Sequence, residues 1–151
     1  MRERTICRRE MRRELMRVYR EVVTDCPSGT TQMDVYQKVV EHPAPRFYVD
    51  PRRAHIVISP MMRGDHSKLE ACGALKRQMY YDLYDTVMRL TQVKRFWHKS
   101  VYYILKEAVL EPAPRFYISK ERMRMIWHEE VVETRQQKYK RIGKPYEKRD
   151  D

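Results

Sequence analysis

The side chains best placed to do chemistry in this chain are arginines that adjoin aromatic rings. The hexapeptide Pro-Ala-Pro-Arg-Phe-Tyr occurs twice, at Pro43–Tyr48 and at Pro112–Tyr117, so Arg46-Phe47-Tyr48 and Arg115-Phe116-Tyr117 stand 69 residues apart. A guanidinium beside an exposed ring can hold a phosphate while an unpaired base stacks on the aromatic face. The same residues also have a structural use. The rings can pack over helices, with the tyrosine hydroxyl reaching a backbone group, and the arginine can pair with a helix C-terminus. The sequence leaves both uses open.

Further cations fall on stretches that read as helices. Arg8, Arg9, Arg12, Arg13 and Arg17 lie on the N-terminal one. Arg52, Arg53 and His55 follow the first hexapeptide, and Lys120, Arg122 and Arg124 follow the second. Lys138, Lys140, Arg141 and Lys144 crowd the C-terminal end. The groups at the two ends suit phosphate neutralisation with release of counterions, while those after the hexapeptides could also meet guanine edges. The formal net charge is +11 and unevenly spread: residues 1–20 hold eight arginines against three glutamates, and residues 135–151 hold seven basic side chains against three acidic ones. A nearly neutral body with cationic ends is the pattern of a folded unit that binds polyanions. A solvated, solubilising surface is the plain alternative.

Catalytic chemistry lacks its parts. Four glycines could scarcely build a phosphate-cradling loop. His42, His55, His66, His98 and His128 are scattered, and Cys7, Cys26 and Cys72 match neither a zinc spacing nor a disulfide framework. The cysteine usage points to a reducing cytoplasm. Tyr80-Tyr81 and Tyr102-Tyr103 would face different sides of a helix. Asp82, Asp85, Glu129 and Glu130 have no diagnostic metal spacing. The expectation is a protein that is not an enzyme, with no cofactor and no metal. No window is apolar enough to span a bilayer, so no membrane partner is expected.

Few glycines and many Arg, Glu, Met, Leu and Lys favour helices. Apolar spacing predicts helices over about 8–25, 32–42, 51–59, 67–92, 100–110 and from Lys120, with apolar periodicity ending near residue 135. Thr31, Asp50-Pro51 and Ser100 read as helix starts, Ser67 to Glu70 as a capping box, and Pro60 as a stop. The prolines of each hexapeptide force an extended path. Six identical residues with matching neighbours at a fixed interval indicate a tandem duplication. The expected fold is all-α: two pseudo-symmetric units of helix, helix, extended segment and helix that share a long central helix. Residues 1–66 and 67–135 form the units, and 136–151 a flexible basic tail. The seven-residue connector Pro43–Val49 is too long for a tight helix-turn-helix, which leaves a winged derivative or another tri-helical unit.

The hexapeptide resembles a motif of small proteins from Bacteroidetes bacteria and their phages and mobile elements. The resemblance covers the two short segments and implies no activity; a mobile-element setting would favour nucleic acid as partner. The expected function is noncatalytic nucleic-acid binding, with duplex DNA ahead of structured RNA. The competing class is an assembly or adaptor subunit of a larger complex, with the hexapeptides as docking surfaces for a protein partner.

Overall fold

The computed structural model describes residues 3–141 and Gly143. The fold is all-α. Its helices are α1 (Glu3–Asp25), α2 (Gln32–Glu41), α3 (Pro51–Met62), α4 (Ser67–Glu70), α5 (Ala74–Thr91), α6 (Val101–Ala108) and α7 (Lys120–Arg141), with one 3-10 turn at Lys94–Phe96.

The starts of these helices follow from local chemistry. The Thr31 hydroxyl accepts the Asp34 amide at 3.2 Å, and the Ser100 hydroxyl accepts the Tyr103 amide at 3.2 Å. The Asp50 carboxylate accepts the Arg52 amide at 2.9 Å, with Pro51 at the first helical position. Ser119 does the same for α7, accepting the Arg122 amide at 3.0 Å. Each cap satisfies an amide that the first helical turn leaves without a partner.

Three sequence expectations are corrected. Helix α3 does not stop before Pro60 but carries it in its last turn and ends at Met62. The proline there removes a single helical donor. The helix closes two residues further on, where the amides of Gly64 and Asp65 bond the carbonyls of Met61 at 3.0 Å and Pro60 at 2.9 Å. Gly64, at φ +87°, supplies the left-handed residue that this closure needs. The capping box at Ser67–Glu70 does not form. Ser67 instead donates its amide and hydroxyl to Asp65 at 3.0 and 2.7 Å, so Asp65 carries out the capping. The long central helix expected over 67–92 is divided into α4 and α5 at residues 71–73, where Gly73 is extended (φ −65°, ψ 165°). Glycine is the poorest helix former after proline, and the short α4 cannot carry the helix across it. At the other end α7 runs on past residue 135 to Arg141.

The core is one hydrophobic cluster that draws on all seven helices. Helix α1 packs on α2, and α5 on α6. Other contacts cross over, α2 packing on α7 and α3 on both α6 and α5, while the short α4 lies against α3 and α5. The buried faces repeat at the hexapeptide interval. Val35, Tyr36, Val39 and Val40 of α2 correspond to Ile104, Leu105 and Ala108 of α6 and the following Val109, all buried. Ala54 and Val57 of α3 correspond to Met123 and Ile126 of α7. One side of α7 is held against α1 by Trp127, whose ring stacks on Tyr19 at 3.8 Å. Among the described residues no helix is long and apolar enough to cross a membrane.

Candidate functional site

The two hexapeptides, distant in sequence, lie side by side. Ala44 and Ala113 form an antiparallel bridge, each amide donating to the other's carbonyl at 2.9 Å. Each alanine sits between two prolines, so its amide is the only donor in three consecutive residues, and that donor is used. The Phe47 amide then bonds the Val109 carbonyl, and the Phe116 amide the Val40 carbonyl, both at 2.9 Å. Each segment is thereby tied to the end of the other stretch's second helix.

This pairing decides what the aromatics do. Phe47 and Phe116 are fully buried, so their structural use is realised. Tyr48 lies nearly parallel to Phe116 at 6.1 Å, and Tyr117 to Phe47 at 6.2 Å. Both tyrosines are half-buried, each backed by the other segment's phenylalanine. The arginines are oriented alike. Arg46 Nε donates to the Phe47 carbonyl at 3.2 Å and Arg115 Nε to the Phe116 carbonyl at 3.1 Å, which fixes the base of each guanidinium.

Beside the paired segments lies a groove of about 620 Å³. Six cationic side chains line it: Arg8 from α1, Arg46 and Arg115 from the hexapeptides, Arg52 and Arg53 from α3, and Lys76 from α5. One carboxylate, that of Asp50, lines it with them. Tyr48, Tyr80, Tyr117 and Phe116 supply aromatic surface, with Met11, Met79, Val49, Ile56 and Ile118 as apolar walls. Several lining residues stand 69 apart, as Arg46 does from Arg115, Tyr48 from Tyr117 and Val49 from Ile118.

The groove is electropositive by composition and by pairing. Arg46 stands 3.6 Å from Glu10 and Arg52 stands 3.4 Å from Asp50. Among the described residues no ion pair involves Arg8, Arg53, Lys76 or Arg115. Burial pushes the Tyr48 hydroxyl up to about 12, with Glu14 adding to the rise. Burial also raises Tyr117, reinforced by its hydrogen bond to the Asp82 carboxylate, and raises Tyr80 against the opposing charge of Arg53. These phenols stay neutral at physiological pH, so they add no negative charge to the groove.

Of the cations singled out in the sequence, Arg8, Arg46, Arg52, Arg53 and Arg115 therefore converge. The others do not. Arg12 crosses to α7, where it meets Glu129 at 2.7 Å and Glu130 at 3.4 Å. Burial works against its charge, and the hydrogen bonds and attraction of the two glutamates outweigh that, holding its pKa above the ordinary value. Arg17 is engaged by Glu14 and by Glu21, the latter at 2.7 Å. Arg9 and Arg13 are exposed on α1, as are Lys120, Arg122, Arg124, Lys138, Lys140 and Arg141 along α7. Lys144 lies outside the described residues. Lys76 was missed by sequence reasoning and Tyr80 was weighed only as one of a helical tyrosine pair, since only the folding of α5 against the hexapeptides gives them a site.

Three of the four carboxylates considered for a metal are otherwise occupied, Glu129 and Glu130 by Arg12, and Asp82 by Tyr117 and by Gln78 at 3.0 Å, while Asp85 is exposed on α5. Comparison of the chain with protein-family models, with curated proteins and with solved structures finds no match in any of the three.

Proposed function

We propose that the chain is a noncatalytic nucleic-acid-binding protein, favouring duplex DNA over structured RNA, and that it consists of two tandem helical units related by an approximate internal twofold axis. The observation that carries the functional reading is the convergence of Arg8, Arg46, Arg52, Arg53, Lys76 and Arg115 on one groove with a single carboxylate. Six cations lined up with one carboxylate leave a net positive charge even with Arg46 and Arg52 partnered, and a polyanion relieves the remaining repulsion while releasing its own counterions. The exposed cations of α1 and α7 extend the positive surface beyond the groove. The architectural reading rests on the reciprocal bonds of Ala44 with Ala113, Phe47 with Val109 and Phe116 with Val40, each set related by the same interval.

Two features favour this reading over that of an assembly subunit docked through its hexapeptides. Ala44, Ala113, Phe47 and Phe116 are consumed by internal pairing and burial. What each hexapeptide keeps at the surface is its prolines, its arginine and part of its tyrosine. The test is fluorescence anisotropy of the nuclease-treated protein with labelled duplex DNA, single-stranded DNA and hairpin RNA across a salt series. The expected result is tightest binding to the duplex, with log affinity falling steeply against log salt. Absence of binding to all three at low salt would overturn the reading.

A further inference from the structure

We infer that the basic groove is a nucleoside-phosphate site, which takes the terminal phosphate or oligophosphate of a nucleotide among its cations and the base against Tyr117. The inference deepens the nucleic-acid reading by naming the part of the ligand that this groove would take.

Size is the first argument. A groove of about 620 Å³ falls within the range of roughly 300–1,000 Å³ typical of small-ligand sites. A duplex can lay its phosphates across the mouth of the groove but cannot enter it, so what the groove itself takes in is smaller. Charge is the second argument. A phosphodiester carries one negative charge, whereas a terminal phosphate carries between one and two near neutral pH and an oligophosphate more. Six cations around one small volume are better matched by the terminal or chained form. Arg115 is the clearest donor: its Nε is fixed on the Phe116 carbonyl, and its two Nη groups have no acceptor among the described residues.

The base position follows from an asymmetry between the two tyrosines. The Arg46 guanidinium lies over the Tyr48 ring, 5.6 Å from its centroid, so that ring already has a cationic cover. No cation lies over Tyr117 among the described residues. Its ring is held from behind by Phe47, and its hydroxyl is anchored on Asp82. A half-buried ring that cannot swing away is a preorganised platform for a base, and stacking of this kind is tolerant of base identity.

Isothermal titration of the full chain at low salt, with ATP, inorganic triphosphate and adenosine as probes, tests the inference. ATP should bind about tenfold or more tightly than triphosphate, and adenosine far more weakly than either. Lys76→Glu, at an exposed position, should weaken ATP binding about tenfold without disturbing the fold. Tyr117→Leu should bring ATP down to the affinity of triphosphate, and circular dichroism would show that this variant is folded. Equal binding of ATP and triphosphate to the unaltered chain would overturn the inference. So would an absence of ATP binding where duplex DNA still binds, and that result would leave the nucleic-acid reading standing. ATP binding without any DNA binding would support the groove and sink the nucleic-acid reading. Competition of ATP with a single strand bearing a 5′-phosphate, but not with the 5′-hydroxyl strand, would support the site and assign its ligand to a strand end. Equal indifference to both strands would support a free nucleotide.

Discussion

Ala44 and Ala113 exchange both of their backbone hydrogen bonds, each at 2.9 Å, across 69 residues of chain. This one bridge sets the register of everything around it. It places Phe47 under Tyr117 and Phe116 under Tyr48, and it brings Arg46 and Arg115 to the same groove. Phe47→Ala and Phe116→Ala should therefore be close equivalents. Each removes a fully buried ring, at an expected cost of about 3–5 kcal/mol. Because both rings belong to one hydrophobic cluster, the double variant should lose less than the sum of the singles. Urea unfolding of all three variants measures this. Strongly unequal single losses would show that the two hexapeptides bear different structural loads.

The high-pH behaviour of the protein should report the tyrosines of the groove. Burial raises the Tyr48 and Tyr117 hydroxyls in the folded chain above the ordinary value of 10.0. The folded state then holds protons that the unfolded state gives up, so stability falls as pH rises through that interval. Stability should be insensitive to these groups below about pH 10. It should decline from there through the folded value of about 12 for Tyr48, and further for Tyr117. Thermal unfolding measured at steps from pH 8 to 12 tests the sign, and Tyr117→Phe should remove part of the decline. Ultraviolet titration of tyrosinate in the native protein should show groups that ionise only near or beyond unfolding.

Much of this fold was legible in residues with strong local chemistry. Thr31, Ser100 and Asp50-Pro51 mark helix starts because a side-chain oxygen beside orphan amides leaves few alternatives. The apolar faces of α2 and α6 were legible through their three- and four-residue spacing. The failures occurred where neighbours compete. Ser67 could cap or donate, and Asp65, two residues earlier, decided the matter by accepting both of its hydrogens. Pro60 reads as a stop, yet in a last turn it costs only one donor. The groove was half legible. The arginines could be named as candidates one by one, but no periodicity states that Arg46 and Arg115 share a volume with Lys76. That follows from a nonlocal bridge between two alanines, residues that carry no local signal.

The clasp between Arg12 and the pair Glu129 and Glu130 should act as a weak, salt-sensitive tie between α1 and α7. The side chains retain 29% to 49% of their exposure, so water screens the attraction, and the expected contribution is about 0.2–1 kcal/mol. Arg12→Ala should lower stability by that amount at low salt and by less at 1 M salt. It should also change nucleic-acid affinity less than Ala substitution of Arg8 or Arg13, which have no carboxylate partner among the described residues. Anisotropy titrations of the three single variants, set beside their melting temperatures, separate the roles. A larger binding loss for Arg12→Ala than for the other two would place Arg12 in the interface.

Two glycines that look alike in the sequence should respond differently to alanine. Neither Gly64 nor Gly73 has any atom within 4 Å of where a methyl group would stand, so packing does not distinguish them. Backbone conformation does. Gly64 sits at φ +87°, where a side chain meets its own carbonyl, and it closes α3 through the bonds of residues 64 and 65 to Met61 and Pro60. Gly64→Ala should cost about 1–2 kcal/mol. Gly73 is extended at φ −65° and ψ 165°, a conformation open to any residue. Gly73→Ala restricts the unfolded chain without straining the folded one, but Gly73 is the N-cap of α5, where alanine is the poorer residue, so the two effects should offset to within about 0.5 kcal/mol. It also raises helix propensity at the break between α4 and α5, so a gain well above that range would mean the two helices had fused. Urea midpoints for the pair, with helical content followed by circular dichroism, tell such an offset from fusion.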